Sequence, residues 1–225
     1  MKKILLTVRL SLYLTAFVLA GCKPNVEETW FDNTVTLLED ELPKYTEYGY
    51  NTAGAKIVTS SKDWVFNQNW TLYSSYNTPS ARISKKAPGL LQFAMIGQKG
   101  IYGEKMDLLF DFPAEISDSL SGLYALVNQK FTSQHHLLET HLSYGEDLAN
   151  TLTVTSGLLF FTRSRRIIYS AGNNKEVEGV SLSGTFEVTA TMVDEMDNDA
   201  NVTVSSGRFD ILFWKFNGVE FTNVL

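Results

Sequence analysis

The chain has 225 residues, with 14 Phe, 10 Tyr and 4 Trp among them, which is length and ring area enough for one sizeable core. Its 19 basic against 25 acidic side chains give a net charge of −6. Phosphate binding needs a basic surface, so this balance argues against a nucleic-acid partner. A single cysteine, Cys22, excludes a disulfide framework.

The first element in chain order is a leader. Lys2 and Lys3 form a positive start, Leu10 to Ala20 form an apolar stretch too short to span a bilayer, and Leu19-Ala20-Gly21-Cys22 has the form of a bacterial lipobox. Residues 1–21 are thus expected to be removed as a lipoprotein signal peptide, leaving Cys22 acylated and the membrane engaged through its lipid. Removing that leader, with Lys2, Lys3 and Arg9, leaves 204 residues carrying 16 basic and 25 acidic groups, a net −9. Lys23 follows the cysteine where an Asp would suggest inner-membrane retention, so the expected address is extracytoplasmic and on the outer membrane. Residues 22–45 read as a lipidated tether between Pro24 and Pro43. Within it Val35, Leu38 and Leu42 keep a helical spacing after Asp32, a possible cap, while Thr34, Val35 and Thr36 oppose a helix through their β-branching.

The third segment, 46–225, changes to period two. Thr185 to Met192 alternates Phe186, Val188, Ala190 and Met192 with Thr and Glu, and Asp107–Phe112 and Arg208–Phe213 repeat the pattern. Further strands are expected near 55–59, 64–75, 90–96, 122–127, 136–142, 152–161, 165–170 and 219–224. Asn173-Asn174 and the stretch from Asp194 to Asn201 read as hairpin loops, because Asn and Asp tolerate the left-handed conformation. About ten strands with short turns predict an all-β fold, an antiparallel β-sandwich with Phe186, Val188, Phe209, Ile211 and Phe213 in its core. The alternative is a closed β-barrel.

Leu42-Pro43, Thr46, Gly49, Asn51-Thr52 and Gly54-Ala55, followed by Trp64, resemble the opening of a group of Bacteroidetes lipoproteins of unassigned function. Ser183-Gly184-Thr185-Phe186-Glu187 and Ser206-Gly207-Arg208-Phe209-Asp210-Ile211 resemble that group's closing strands. The resemblance implies a β-sandwich-like lipoprotein and supplies no catalytic residue. Read physically, Gly184 and Gly207 suit a bulge or a close backbone approach, and Phe186 and Phe209 suit a core face.

Several constellations bear on chemistry. His135, His136 and His141 lie close together with Glu139, but no spacing among them matches a metal signature, and the wet face of a strand explains them as well. Glu195, Asp197 and Asp199 alternate like the start of a calcium loop, yet Ala200 and Ser206 occupy the places of its Gly and bidentate Glu. Arg163, Arg165 and Arg166 form a basic knot, read as a solvated turn between strands with anion contact as the functional alternative. Trp64, Trp70 and Tyr73, with Phe66 and Tyr76, are dense enough for a sugar-stacking platform, although alternation placing Trp64, Phe66 and Trp70 on one face also suits burial. There is no nucleophile elbow and no Ser-x-x-Lys arrangement, so no catalytic residue, metal ligand or cofactor is assigned. The functional expectation is a non-catalytic binding or accessory module for a glycan or an envelope protein. A structural envelope component and a hydrolase built on a carboxylate pair are the alternatives.

Overall fold

The computed structural model describes residues 42, 49, 51–59, 63–69, 81–98, 105–133, 139–145, 150–171, 175–193, 199–216 and 220–222. Alternating apolar residues turn nearly all of these into antiparallel strands, with one short 3-10 helix. In chain order the strands are β1 (Thr52–Val58), β2 (Asp63–Asn69), β3 (Ala81–Ala87), β4 (Leu90–Gln98) and β5 (Lys105–Pro113). After the 3-10 helix over Leu120–Leu126 come β6 (Lys130–Thr132), β7 (Glu139–Gly145), β8 (Asn150–Ala171), β9 (Lys175–Val193), β10 (Asp199–Phe216) and β11 (Glu220–Thr222).

Two sheets face each other. The front sheet runs β2-β1-β10-β9-β8-β6, and the back sheet runs β11-β3-β4-β5-β7. The start of β8 pairs β7 through Leu142↔Leu152, and the end of β10 pairs β11 through Trp214↔Thr222. Pairing therefore continues round eight strands, from β11 through β3, β4, β5, β7, β8, β9 and β10 back to β11, in a barrel-like ring. Joined at both corners, the all-β fold combines a sandwich's facing sheets with the closure of the barrel alternative.

Long strands must bend to serve both sheets, and bulges supply the bend. In β8 the register shifts between Val154 and Ser156 and between Phe161 and Arg163. The inserted Thr155 and Thr162 each donate a hydroxyl hydrogen bond across to β9, to the carbonyls of Thr189 at 3.1 Å and Ser183 at 3.0 Å. The shift in β10 falls between Val204 and Gly207, where Ser206 takes a positive φ of 54°.

The interior is filled with rings. Phe93, Phe110, Phe112, Phe161, Phe186, Phe209 and Phe213 are fully buried, with Phe93 and Phe209 centroids 4.9 Å apart and Phe112 and Phe131 4.6 Å apart. Such pairs contribute about 0.5–1.5 kcal/mol each beyond their burial. The expected core residues Phe186, Val188, Phe209, Ile211 and Phe213 are all inside. Two of the rings need glycine opposite them. Phe209 pairs with Gly184 and Phe186 with Gly207, and a Cβ on either glycine would lie 2.3 or 2.2 Å from a backbone carbonyl oxygen, within 2.6 Å of the facing ring.

Some expected elements differ. Residues 122–127 belong to the 3-10 helix and the turn after it, because Gly122 sits where a Cβ would meet the Ser117 backbone at 2.6 Å and Leu123 and Leu126 turn into the core. The runs 152–161 and 165–170 are one strand, β8, carried past Arg163 by the bulge. β3 is a strand although its lysines break the apolar pattern, since Ala81 and Ile83 still alternate inward. The stretch expected to hold a helix, 32–42, lies outside the described residues except for Leu42.

Candidate functional site

Residues 51–55 come together on the front sheet with residues 183–187 and 206–211, far from them in sequence. Thr52 pairs with Asp210, Ala53 with Phe209 and Gly54 with Arg208, while Asp210 pairs with Ser183 and Arg208 with Thr185 on the other side. On the outer face, opposite the rings, Asp210 is buried to 1% exposure. Its Oδ1 accepts hydrogen bonds from the Gly49 amide at 2.9 Å, Ser181 Oγ at 3.1 Å and Ser183 Oγ at 3.0 Å. Asn51 Oδ1 accepts from the Leu212 amide at 2.9 Å. Positive φ values of 75° at Gly49 and 54° at Asn51 turn the backbone onto the sheet, where a Cβ on Gly49 would meet those of Leu212 and Ser181 at 3.0 and 3.2 Å. Asp210 is thus a fastening for the segment that enters β1, and the motif residues read as architecture.

Further along the same face the sheet is open. Lys56 on β1, Glu187 on β9 and Lys130 on β6 are exposed, and Arg208, Thr185, Phe160, Leu158 and Thr132 are half-buried. The register places Arg208 opposite Thr185, Thr185 opposite Phe160, and Phe160 opposite Lys130. Burial pushes the Arg208 guanidinium below its ordinary value. Arg208 Nε and Thr132 Oγ1 are both buried with no hydrogen-bond partner.

The basic knot is no turn. Arg163 and Arg165 lie within β8 opposite Ser183 and Ser181, hence on this outer face, whereas Arg166 lies opposite Val180 on the other one. The physical reason is the Thr162 bulge, which keeps the ladder running where a solvated turn was expected. Arg166 makes a two-pronged pair with Glu178, Nε to Oε1 at 2.9 Å and Nη2 to Oε2 at 3.1 Å. That bonding holds the Glu178 carboxyl below the usual range, and burial, with Glu178 nearby, raises the Tyr124 phenol.

The back sheet carries a second buried acid. Asp111, 1% exposed, accepts from Lys86 Nζ and from Gln92 Nε2, the latter at 2.8 Å. Beside it, between the β3–β4 turn and residues 114–116, an open cleft of about 580 Å³ is lined by Lys85, Lys86, Pro88, Leu91, Glu115 and Ile116. Lys85 pairs with Asp118.

Of the residues singled out in the sequence, Trp64 lies in edge strand β2 with its backbone opposite Ile57, and Phe66 opposite Ala55. Glu139 and His141 sit in β7 opposite Asp111 and Leu109, and Asp199 opens β10 opposite Val193. Cys22, Trp70, Tyr73, Tyr76, His135, His136, Glu195 and Asp197 lie outside the described residues. No group of three or more His, Cys, Asp or Glu able to hold a metal ion occurs among the described residues. Sequence reasoning gave no separate role to Arg208 and Lys130, which a period-two count from Phe209 and Phe131 would have placed on the outer face. No family model, no curated protein and no solved structure matches this chain.

Proposed function

We propose that the protein is a lipid-anchored extracytoplasmic lipoprotein whose β domain is a non-catalytic binding or accessory module, with a glycan as its leading ligand class and an envelope protein as the alternative partner. The observation that carries the reading is the Leu19-Ala20-Gly21-Cys22 lipobox behind a charged and apolar leader. The packing supports it in a second way. An interior occupied by buried Phe rings leaves ligands to the outside of the shell. Trp64, Trp70 and Tyr73 are proposed as stacking rings, and outer-membrane attachment through the lipid on Cys22 is proposed as the address. No described helix is long and apolar enough to cross a membrane.

The test has two readouts. Labelled palmitate is expected in the wild-type chain and lost in Cys22→Ser; equal labelling, or a mature chain starting elsewhere, rejects the anchor. The full chain in mild detergent is then screened on a glycan array and by pull-down, beside a Trp64→Ala, Trp70→Ala variant. Weaker glycan binding in the variant supports the aromatic platform, and unchanged binding rejects it. Binding to no glycan rejects the leading ligand class in favour of the partner protein.

A further inference from the structure

We infer that the outer face of the front sheet binds an acidic polysaccharide, engaging its carboxylate or sulfate groups through Arg208, Lys56 and Lys130. The inference rests on the glycan reading above and deepens it by naming the ligand's charge and the residues that meet it.

Charge placement comes first. The chain as a whole carries −6, yet in the open patch around Arg208 three cations, Lys56, Lys130 and Arg208, stand beside one exposed acid, Glu187; Arg163 and Arg165 add charge further along β8, and Asp210 on this face is buried. Lys130 shares a row with Phe160, Thr185 and Arg208 that ends at Gly54, and Lys56 lies two residues further along β1, so the two lysines stand on the outer strands of a patch five strands wide, β1, β10, β9, β8 and β6. Four strand spacings make this about 19 Å, a track several sugars long and not a point contact. Neither lysine, nor Arg208 between them, forms an ion pair or side-chain hydrogen bond among the described residues.

Desolvation comes second. Burying a guanidinium nitrogen without a partner costs free energy, and a planar two-oxygen acceptor is the group that would recover it. Arg208 Nε is such a nitrogen, on β10 between Gly54 and Thr185 in the register. Thr132 Oγ1, two residues from Lys130, is likewise buried and unpaired, a hydroxyl positioned for a ligand's own hydroxyls. Phe160 lies half-buried between Thr185 and Lys130, so the row alternates cation, hydroxyl, ring and cation. Sugars with acidic substituents present that same mixture of charge, hydroxyl and apolar ring face. An anionic bilayer or a nucleic acid is held by denser positive charge than these cations, spread over five strands of an acidic protein, supply.

The experiment measures affinity electrophoresis and calorimetry of the full chain with polygalacturonate, a sulfated galactan, neutral galactan and dextran, and co-sedimentation with phosphatidylglycerol vesicles. The two acidic polymers share the anion chemistry, and their comparison distinguishes carboxylate from sulfate recognition. At least one acidic polymer is expected to bind tenfold or more tightly than either neutral one, with affinity falling as NaCl rises. Lys56→Gln with Lys130→Gln, both exposed, should weaken that binding about tenfold without changing the thermal midpoint, and Arg208→Gln should weaken it further. If Arg208→Gln fails to fold, the lysine pair still decides the matter. Equal binding of neutral and acidic polymers, an unaffected lysine variant, or binding to vesicles alone overturns the inference. Tight binding of a neutral glycan alone would overturn it while the glycan reading stood; binding to no glycan of either charge would remove both.

Discussion

At the scale of single residues, the glycine–phenylalanine pairs are the most exacting feature of this chain. Gly184 faces Phe209 and Gly207 faces Phe186 across one ladder, and the pairs lie close together on β9 and β10, so each ring covers the backbone that the other strand leaves bare. Gly184→Ala would drive a methyl group into the Phe160 carbonyl and the Phe209 ring. A loss of about 3 kcal/mol, the upper end of overpacking, is expected in urea denaturation; a change under about 0.5 kcal/mol would show that the strands separate freely there. A gentler effect is expected at Glu178. Because Arg166 lowers its carboxyl, the pair's contribution to stability is present above the unfolded carboxylate value of about 4.3 and fades as pH drops through the lower folded value. NMR titration should find the Glu178 midpoint moved upward in Arg166→Gln, and no movement would mean that the pair does not persist in solution. Since both side chains are largely exposed, the titration midpoint is the readout that can resolve the interaction.

At the scale of elements, the fastening over the front sheet joins parts of the chain 161 residues apart. Asp210 carries most of it, since one carboxylate oxygen serves an amide and two hydroxyls, and Asn51 adds a bond from the Leu212 amide. Asp210→Ala leaves those three donors facing an emptied site, and unpaired buried polar groups cost about 1–3 kcal/mol each, less whatever water recovers. A net loss of about 3 kcal/mol is expected. Hydrogen exchange at the Gly49 amide should accelerate more than at the Phe110 amide in the back sheet, and uniform acceleration would refute a local fastening. The element scale also explains where strand boundaries departed from expectation. Alternation identified the inward positions of β9 and β10 well, but bulges at Thr155, Thr162 and Ser206 reset the period without changing composition. A count from sequence meets such a reset as a turn, which is how Arg163, Arg165 and Arg166 came to look like a loop.

At the scale of the whole molecule, closure depends on a very short joint. β11 has three residues, pairs with both β10 and β3, and contributes the buried ring of Phe221. Phe221→Ala should cost about 3–5 kcal/mol, the usual loss for a buried ring. It should raise exchange at residues 81–84 and 214–216 together while the β8–β9 ladder stays protected. Protection lost along β8 and β9 to the same degree would mean that the ring opens only with global unfolding.

The sequence by itself determined the all-β class, the inward faces of the strands near Phe110, Phe186 and Phe209, and that Gly184 and Gly207 mark either a bulge or a close approach. Each of these is a local consequence of side-chain alternation or of a missing Cβ, legible within a few neighbouring residues. Only the tertiary structure decided that β8 is one strand, that two distant motifs lie side by side around Asp210, and that Lys56, Arg208 and Lys130 share an outer face. Those outcomes depend on register between strands remote in sequence, and a shift of one residue in any ladder would have sent the cations to the other face.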